Sequence, residues 1–459
     1  MNPIRKHGVS KDLLALKVLA WVRQHRWMRA AYRFLPHALR GSVRRSLVDA
    51  SGANARFPRT PAWDRPAAPA RRIPAGASEG NSGVHLYAYF RGQFGLAECA
   101  RLYTQALIDH GYPVVLHDID LNIPHGFDDR SFELDSDAGA QHGVHLLFVN
   151  PDYLDEAMDK VGRARFSGGY VIACWFWELE RIPDTWLPAL ERVDEILAAS
   201  SFIEEAFRRV TRKPMFRLPI PLGETQDSGL ERPDFALRDG TFVFLTTFDF
   251  NSSIERKNPF AVVEAFREAF PLGREDVQLL IKSSNGHRYP EMFLRLLRQA
   301  AEDPRIVVRD EILESRHLHA LHRCVDAYVS LHRAEGFGLG LAECMRLGKP
   351  VIATGWSGNL DFMSDDDSCL VGYELRSVEE GQYPFWQGQR WAEPDISHAA
   401  ARMRRLADDP AFAARIGERA SARIRDTLSP QKIGAHLAGH LDSVRIARAG
   451  ASAARTIDE

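Results

Sequence analysis

The sequence predicts an α/β protein in which two Rossmann-like domains face each other across a cleft. Short apolar runs alternate with amphipathic stretches from residue 84 onward, which is typical of a parallel sheet with crossover helices. Prolines, glycines and polar residues interrupt this alternation between 219 and 240, after which it starts again. With 459 residues, of which 45% are apolar, the chain is long enough to form two hydrophobic cores. A cleft between two such domains is a common site for small molecules.

The first domain is predicted over residues 82–223. Its strands are expected at 84–90, 114–117, 144–149 and 169–177, and its first helix at 95–110. The stretches 192–199 and 202–209 continue the same alternation.

The second domain is predicted over residues 236–428. Its strands are expected at 242–248, 277–282, 306–308, 326–331 and 350–354, and its helices at 259–270, 292–301, 318–324 and around Glu343. A final helix, over 429–447, is expected to pack back on the first domain.

The N-terminal segment differs from the rest of the chain in charge. Residues 1–45 carry eleven basic residues and one acidic residue, although the whole chain has a net charge of −2. Apolar residues recur there at helical spacing, and Trp21, Trp27 and Tyr32 suit a lipid headgroup boundary. We expect a basic amphipathic helical extension over 1–56 and a Pro-rich linker over 57–81. The helix would bind an anionic membrane or, alternatively, dock on the protein itself.

Composition argues against several classes of protein. The near-zero net charge gives no indication of nucleic-acid binding. The five cysteines lie far apart without a C-x-x-C pair, which disfavours a disulfide scaffold or a zinc ribbon and suits a reducing cytosol. No apolar run reaches the ~18 residues that a transmembrane helix needs, and no signal peptide is visible. We therefore expect a cytoplasmic protein.

A glycine-rich segment from 330 to 363 carries the most informative pattern. A predicted strand ends near Leu331, three alternating glycines follow, and then a helix begins. Such glycines let backbone N–H groups approach a ligand, and a helix N-terminus adds positive partial charge. Glu335 stands at the entrance of the loop and Glu343 lies eight positions later, so the two carboxylates would accept hydrogen bonds from two sets of ligand hydroxyls. Alternatively, Glu343 caps or solvates the helix and the glycines only turn the chain.

These residues resemble the E-x(7)-E signature of retaining GT-B glycosyltransferases of the family 4 type. The match extends from Glu335 through Glu343 to the G-K-P-V-I-A-T run at Gly348. The resemblance implies that Glu335 holds hydroxyls of a donor sugar and that Glu343 holds the ribose of its nucleotide. It also implies donor contacts from the glycine loop and from a following S-G-N triplet, namely Phe337, Gly338, Leu339, Ser357, Gly358 and Asn359. Gly340 stands where the family often has Pro, a change that loosens the loop.

A second segment agrees with this resemblance. Arg256 and Lys257 lie at a strand-to-helix junction, where a guanidinium fork and an ammonium suit a diphosphate. The family's phosphate-binding Lys corresponds to Lys257, whereas its Arg six residues earlier is replaced by Asn251. Which residue takes over the phosphate-binding role of that arginine is left open, the candidates being Arg256, Asn251, Ser252 and Lys282. Alternatively, Arg256 and Lys257 form the solvated start of a helix.

The first half contains a loop of related character. Residues 91–98 resemble the family's glycine loop near donor and acceptor, with Gly92 and Gly95 as positions of close approach. Glu178 follows a strand within an aromatic run and is the candidate on the acceptor side, with a structural role equally open. The tryptophans at 175, 177 and 186 would stack on sugars or pack in the core. The family's donor-contacting histidine has no assignable equivalent in the sequence.

Three further clusters bear on a metal site. Asp118 and Asp120 follow a strand, as the D-x-D motif of a GT-A glycosyltransferase does, and residues 365–367 form a second acidic group. Surface turns use Asp as freely, and the resemblance is to a metal-independent family, so no metal is expected. The histidines at 317, 319 and 322 do not share one helical face and are interpreted as ordinary helix residues.

The resemblance covers residues 82–440 and implies the transfer of a hexose from a nucleotide diphosphate sugar with retention. Glu335 would orient the sugar, while Lys257 and Arg256 would offset charge on the departing diphosphate. Similar bacterial chains favour mannose, so the donor would be GDP-mannose or a UDP-hexose. The first domain would bind the acceptor, a glycan or polyprenyl-linked glycan of surface polysaccharide or lipopolysaccharide synthesis, at the inner face of the plasma membrane.

Three other functions are left open. A metal-dependent GT-A-type transferase would use Asp118 and Asp120 to bind its cation. A phosphorylase would share the fold, although nothing marks a phosphate acceptor or a pyridoxal lysine. A non-catalytic GT-B scaffold at the membrane would retain the fold without turnover, with Asn251 as the single mark in its favour.

Overall fold

The computed structural model describes residues 83–458 with the exception of 122, 124, 135–142 and 226. The predicted basic helix and Pro-rich linker, residues 1–81, lie outside the described residues. The described ranges form two parallel sheets of six strands each, with helices packed against them. The predicted α/β class is confirmed.

The first domain begins at the first described residues. Its helices and strands are β1 (Val84–Ala88), α1 (Gly95–Asp109), β2 (Val114–Asp118), β3 (Val144–Leu147), α2 (Pro151–Val161), β4 (Tyr170–Cys174), β5 (Glu195–Ala198), α3 (Ser201–Arg208) and β6 (Met215–Arg217). The sheet order is β2-β1-β3-β4-β5-β6. Every residue of β1 and β3 is buried, as is typical of a covered parallel sheet, although each strand contains one histidine, His85 and His145.

The second domain starts with the strand at Phe242. Its helices and strands are β7 (Phe242–Asp249), α4 (Ile254–Lys257), α5 (Pro259–Ala269), β8 (Val277–Ser284), α6 (Pro290–Ala301), β9 (Ile306–Asp310), α7 (Ser315–Cys324), β10 (Ala327–Ser330), α8 (Leu339–Arg346), β11 (Val351–Thr354), β12 (Cys369–Val371), β13 (Tyr373–Ser377), β14 (Arg390–Pro394), α9 (Ile396–Asp408) and α10 (Pro410–Thr427). The sheet order is β12-β11-β10-β7-β8-β9, while β13 and β14 pair separately as an antiparallel hairpin.

The order of the second sheet reverses between β7 and β10. In open parallel sheets, ligands bind at the carboxyl ends of the strands beside such a switch point. β7 runs into residues 250–257 and β10 runs into residues 331–338. The two segments that the sequence singled out therefore emerge side by side at the edge where a ligand is expected.

The last helix, α11 (Pro430–Asp458), returns from the second domain to the first. It packs on α1, and the approach is so close that a Cβ at Gly434 would lie 2.4 Å from the carbonyl oxygen of Ala106. The hydroxyl of Tyr112 donates to Asp442 Oδ1 at 3.2 Å. Through these contacts, the C-terminal helix packs on the first domain.

A second connection between the domains is a hairpin that sequence analysis did not identify. We call residues 373–394 the hairpin strap, because the connection between β13 and β14 reaches the first domain. Gln389 Nε2 donates to the carbonyl of Arg181 at 2.7 Å, and the amide of Arg181 donates back to Gln389 Oε1 at 3.2 Å. Arg390 forms an ion pair of 3.2 Å with Glu180.

None of the helices in the described ranges combines the length and the apolar character needed to cross a membrane.

Candidate functional site

A cleft of about 1440 Å³ lies between the two domains. Its second-domain wall is formed by the carboxyl ends of β7, β8 and β10 and by the N-terminus of α8. Its first-domain wall is formed by residues 93–98 and by the outer turns of α1. Most of the predicted site residues meet at this cleft, which neither domain could form alone.

Glu335 lies at the base of the cleft, in the loop that follows β10. Its carboxylate accepts a hydrogen bond from Lys257 and lies 3.1 Å from Arg256 Nη1. Burial alone would raise the pKa of Glu335, but the charges of Lys257 and Arg256 hold it at about 2. Glu335 is therefore ionised at neutral pH and can accept hydrogen bonds from hydroxyl groups.

Arg256 is 3% exposed and is held by acceptors of the protein itself. Its Nη1 donates to the carbonyl of Ala334 at 2.7 Å, its Nε donates to the carbonyl of Ser252 at 3.2 Å, and Glu178 lies 3.7 Å from Nη2. The bidentate fork to a diphosphate that the sequence suggested would require these contacts to break. In this arrangement, Arg256 fixes the carboxylate of Glu335 and the loop before it.

The glycine loop turns into α8 at Gly338, whose φ of +98° is the left-handed conformation that glycine adopts without strain. The backbone of Phe337, Gly338 and Leu339 lines the cleft. The ring of Phe337 is buried against Phe362, with ring centroids 5.0 Å apart. The N-terminus of α8 thus faces the cleft, as the sequence predicts for a loop that approaches phosphate or sugar oxygens.

The S-G-N triplet supports this loop from behind and is not among the residues that line the cleft, so its donor contact stays a prediction. The amide of Glu335 donates to Ser357 Oγ at 2.8 Å, and the amide of Gly358 donates to the carbonyl of Glu335 at 2.9 Å. A Cβ at Gly358 would lie 2.0 Å from the carbonyl oxygen of Gly336. Asn359 bonds the carbonyl of Thr354 at 3.2 Å, away from the cleft.

Glu343 lies on α8 within the cleft, where burial and then the charge of Glu98 raise its pKa to about 8. Its Oε2 lies 3.6 Å from Nδ1 of His322, which is fully buried and also lines the cleft. Burial lowers the pKa of His322 to about 3, so this imidazole is neutral. His322 is interpreted from the sequence as an ordinary helix residue, and α7 carries it to the second carboxylate.

A histidine of the first domain, His125, also reaches the cleft. Its Nδ1 lies 3.4 Å from Asn251 Nδ2 and 3.8 Å from Asp249 Oδ2, and its ring stacks on Phe94 at 4.3 Å. Burial lowers the pKa of His125 although Asp249 acts in the opposite direction. No sequence pattern marks His125, because its loop has no periodicity and its polar neighbours come from the other domain.

The glycines of the first-domain loop differ in their environment. Gly95 begins α1 and lines the cleft with open space around its Cα. Gly92 lies in a tight turn outside the lining, where a Cβ would come within 2.5 Å of the ring of Phe94. The donor approach of Gly92 stays a prediction, and the crowding shows that the turn itself requires a glycine here.

Glu178 faces the cleft and joins the two domains. It accepts a hydrogen bond of 2.6 Å from the hydroxyl of Tyr383 in the hairpin strap, and it approaches Arg256. The tryptophans at 175, 177 and 186 are buried, so they pack in the core rather than stack on sugars.

The acidic pair Asp118 and Asp120 lies at the end of β2, an edge strand of the first sheet, and does not line the cleft. Asp118 accepts a hydrogen bond from the amide of Arg91 at 3.2 Å. Asp367 of the second acidic cluster bonds the amide of Ser364 at 2.8 Å. Among the residues that the structure describes, no three His, Cys, Asp or Glu side chains form a group that suits a metal ion.

Comparison with known proteins agrees with this geometry. Residues 248–379 match the family of glycosyl transferases group 1, a range that holds both candidate motifs of the second domain. Trehalose synthase from Pyrococcus horikoshii is 31% identical over 136 residues, which are 28% of this chain and 32% of that protein. The chain thus matches about a third of the length of this curated relative.

Solved structures share the two-domain architecture. Sucrose-phosphate synthase from Thermosynechococcus elongatus superimposes with a TM-score of 0.59 at 15% identity, over 80% of this chain and all of that one. Anabaena HepE in complex with UDP-glucose gives a TM-score of 0.57 at 13% identity, over 79% of this chain and all of that one. These likenesses show that the fold is of the GT-B type.

Proposed function

We propose that this protein is a retaining glycosyltransferase that transfers a hexose from a nucleotide diphosphate sugar. The observation that carries the proposal is the meeting of Glu335, Glu343 and Lys257 around the N-terminus of α8, in one cleft and within the segment that matches group 1 glycosyl transferases. Two carboxylates and a cation at a helix N-terminus are suited to hydroxyls at both ends of a ligand whose centre is a diphosphate.

In the proposed complex, Glu343 accepts hydrogen bonds from the ribose and Glu335 accepts them from the donor sugar. The diphosphate lies between them, near the backbone amides of α8 and the ammonium of Lys257. His125 faces the same space from the first domain. These groups would stabilise charge that develops on the leaving diphosphate, which is an electrostatic contribution that does not need a metal.

Transfer would proceed with attack on the same face of the sugar from which the diphosphate leaves. The bond between the anomeric carbon and the phosphate oxygen breaks, and the acceptor oxygen bonds to that carbon. The proton of the acceptor hydroxyl passes to the leaving phosphate oxygen. No separate general base is then required, and Glu178 would contact the acceptor from the first domain.

The sugar and the base belong to the proposal as well. The resemblance of the sequence favours mannose from GDP-mannose, whereas a UDP-hexose is supported by the UDP-glucose named for the Anabaena neighbour. We further propose a glycan or polyprenyl-linked glycan as acceptor and peripheral attachment to an anionic membrane through residues 1–45. Truncation of residues 1–75 should abolish co-sedimentation with phosphatidylglycerol vesicles, and unchanged co-sedimentation would contradict the attachment.

The donor site is tested by thermal unfolding with UDP, GDP and their hexose conjugates, with and without EDTA. A ligand at 100 times its Kd stabilises the protein by about 2.7 kcal/mol, which shifts Tm by several degrees. We expect a shift with one base, insensitive to EDTA and lost in Glu343→Ala. A shift with none of the nucleotides would contradict the proposal and favour the scaffold alternative. A shift that EDTA abolishes would favour a metal-dependent transferase.

Transfer itself is tested by incubating the donor so identified with polyprenyl-linked glycans and following release of the nucleoside diphosphate. The anomeric configuration of the product, measured by NMR, should equal that of the donor. Inversion would refute the retaining mechanism while leaving the donor site intact.

A further inference from the structure

Lys282 is a buried cation in the wall of the cleft. It lies on β8, is 8% exposed, and lines the cleft together with Thr247 of β7. The two residues are register partners in parallel strands, so their side chains project from the same face of the sheet. Lys282 therefore lies in the cleft wall beside the carboxyl end of β7, near enough to His322 of α7 to reinforce the lowering of its pKa by burial.

No acceptor within the described part of the chain forms a hydrogen bond or an ion pair with Lys282. Glu311 attracts it most strongly, followed by Asp249 and Asp310, but none of the three carboxylates forms a hydrogen bond or an ion pair with it. Asp249 accepts from Asn285 Nδ2 at 2.9 Å, and Asp310 accepts from the amide of Gly286 at 3.0 Å. A buried ammonium without an acceptor is costly, so the site is incomplete without an anionic ligand.

A second buried cation lies next to Lys282 in the same row. Arg309 of β9 is its register partner, is 1% exposed, and has no acceptor for any of its three guanidinium nitrogens in the described residues. Arg309 does not line the cleft, so it would act on a ligand through its positive potential only. Glu311 attracts Arg309 as well, but neither cation has an acceptor within hydrogen-bond distance, so an anionic oxygen in the cleft would give Lys282 a direct acceptor.

The other basic residues that were candidates for phosphate binding are already paired with acceptors of the protein. Arg256 is held by the carbonyls of Ala334 and Ser252 and by two carboxylates, and Lys257 is paired with Glu335. Asn251 carries no charge. A diphosphate that enters the cleft would therefore meet the ammonium of Lys282 without displacing a protein acceptor.

We propose that Lys282 binds a phosphoryl oxygen of the donor diphosphate. This inference rests on the proposed donor site. It specifies that the second phosphate-binding cation comes from strand β8 rather than from the loop after β7.

The test compares nucleoside diphosphates with nucleosides by isothermal titration calorimetry. UDP, GDP, uridine and guanosine are titrated into wild type, Lys282→Met and Lys349→Met. Lys349 is the matched control, because it is a partly buried lysine of the same domain that does not line the cleft. We expect Lys282→Met to weaken diphosphate binding about 10- to 100-fold, as for loss of a charge-assisted hydrogen bond, and nucleoside binding less than twofold. Lys349→Met should change neither.

A second readout separates binding from folding. Since methionine removes a buried charge without an acceptor, Lys282→Met should melt at the same or a higher temperature than wild type without ligand, and Lys282→Arg should retain diphosphate affinity. Equal diphosphate affinity in wild type and Lys282→Met, or equal losses for diphosphate and nucleoside, would overturn the inference alone. A loss in Lys282→Arg as large as in Lys282→Met would also overturn it. Failure of wild type to bind UDP or GDP would overturn the proposed function itself.

Discussion

Removal of the charge of Glu335 should destabilise the protein by about 3 kcal/mol at pH 7. The pKa of Glu335 falls from 4.5 to about 2, a difference of about 2.5 units, and each unit is worth 1.36 kcal/mol. In Glu335→Gln, the cations of Arg256 and Lys257 stay buried without their carboxylate, and a buried pair broken on one side costs 3–5 kcal/mol. The two arguments agree in direction and size.

The stabilisation by Glu335 depends on pH because folding lowers the pKa of its carboxyl group. Because the pKa of Glu335 is lower in the folded state, its contribution is complete above the unfolded pKa of 4.5 and is lost as pH falls towards 2. The advantage of wild type over Glu335→Gln should therefore shrink from about 3 kcal/mol at pH 7 to about 1 kcal/mol at pH 3. Urea unfolding at the two pH values measures it from the shift in midpoint.

Two further variants make the experiment specific. Glu205→Gln, at an exposed position outside this network, should change stability by less than about 0.5 kcal/mol. Adding Lys257→Met to Glu335→Gln should recover part of the loss, because one of the two stranded cations is removed. Full additivity of the two substitutions, or a pH-independent loss in Glu335→Gln, would refute the electrostatic argument and indicate a packing effect.

Three other outcomes are expected. Gly358→Ala should lower stability by about 1–3 kcal/mol or more and abolish the nucleotide-induced Tm shift, because its Cβ would lie 2.0 Å from a carbonyl of the donor loop; calorimetry and thermal unfolding check this. Tyr383→Phe should destabilise by about 1.5–3 kcal/mol in urea unfolding, because the carboxylate of Glu178 loses its 2.6 Å hydrogen bond. Nucleotide affinity should rise up to about tenfold per pH unit towards pH 8 as Glu343 ionises, and Glu98→Gln should move that profile in calorimetry to lower pH.

The strands and helices that flank the cleft could be predicted because each is buried on a periodic face. β7, β8 and α5 follow apolar patterns that local sequence makes visible, and their bounds differ from the expectation by two residues or fewer. The hairpin strap has no such pattern, since all five residues of β13 are exposed. It is held by polar contacts with the first domain, which are a tertiary property and leave no period in the sequence.

The residues of the candidate site could also be predicted from the sequence only in part. Glu335, Glu343 and Lys257 could be identified because their spacing along the chain is fixed by one strand–loop–helix unit. The positions of Ser357 and Gly358 were also visible, but only the folded loop shows that they support Glu335 from behind. His125 lines the cleft and Tyr383 bonds Glu178 there, and both come from segments far away in sequence. Nothing local marks them, because their role depends on how the two domains pack.

The buried charges of the cleft lower the stability of the ligand-free protein. Lys282 and Arg309 are buried without acceptors, and burial together with Glu98 disfavours the ionised form of Glu343. A nucleoside diphosphate would supply anionic oxygens to the cations and hydroxyl donors to the carboxylate. The same ligand would therefore reduce the free-energy cost of burying each of these groups. Hence ligand binding should stabilise this protein more than contact area alone suggests. Substitutions that remove one of these buried charges, such as Lys282→Met, should raise the stability of the ligand-free protein and weaken ligand binding.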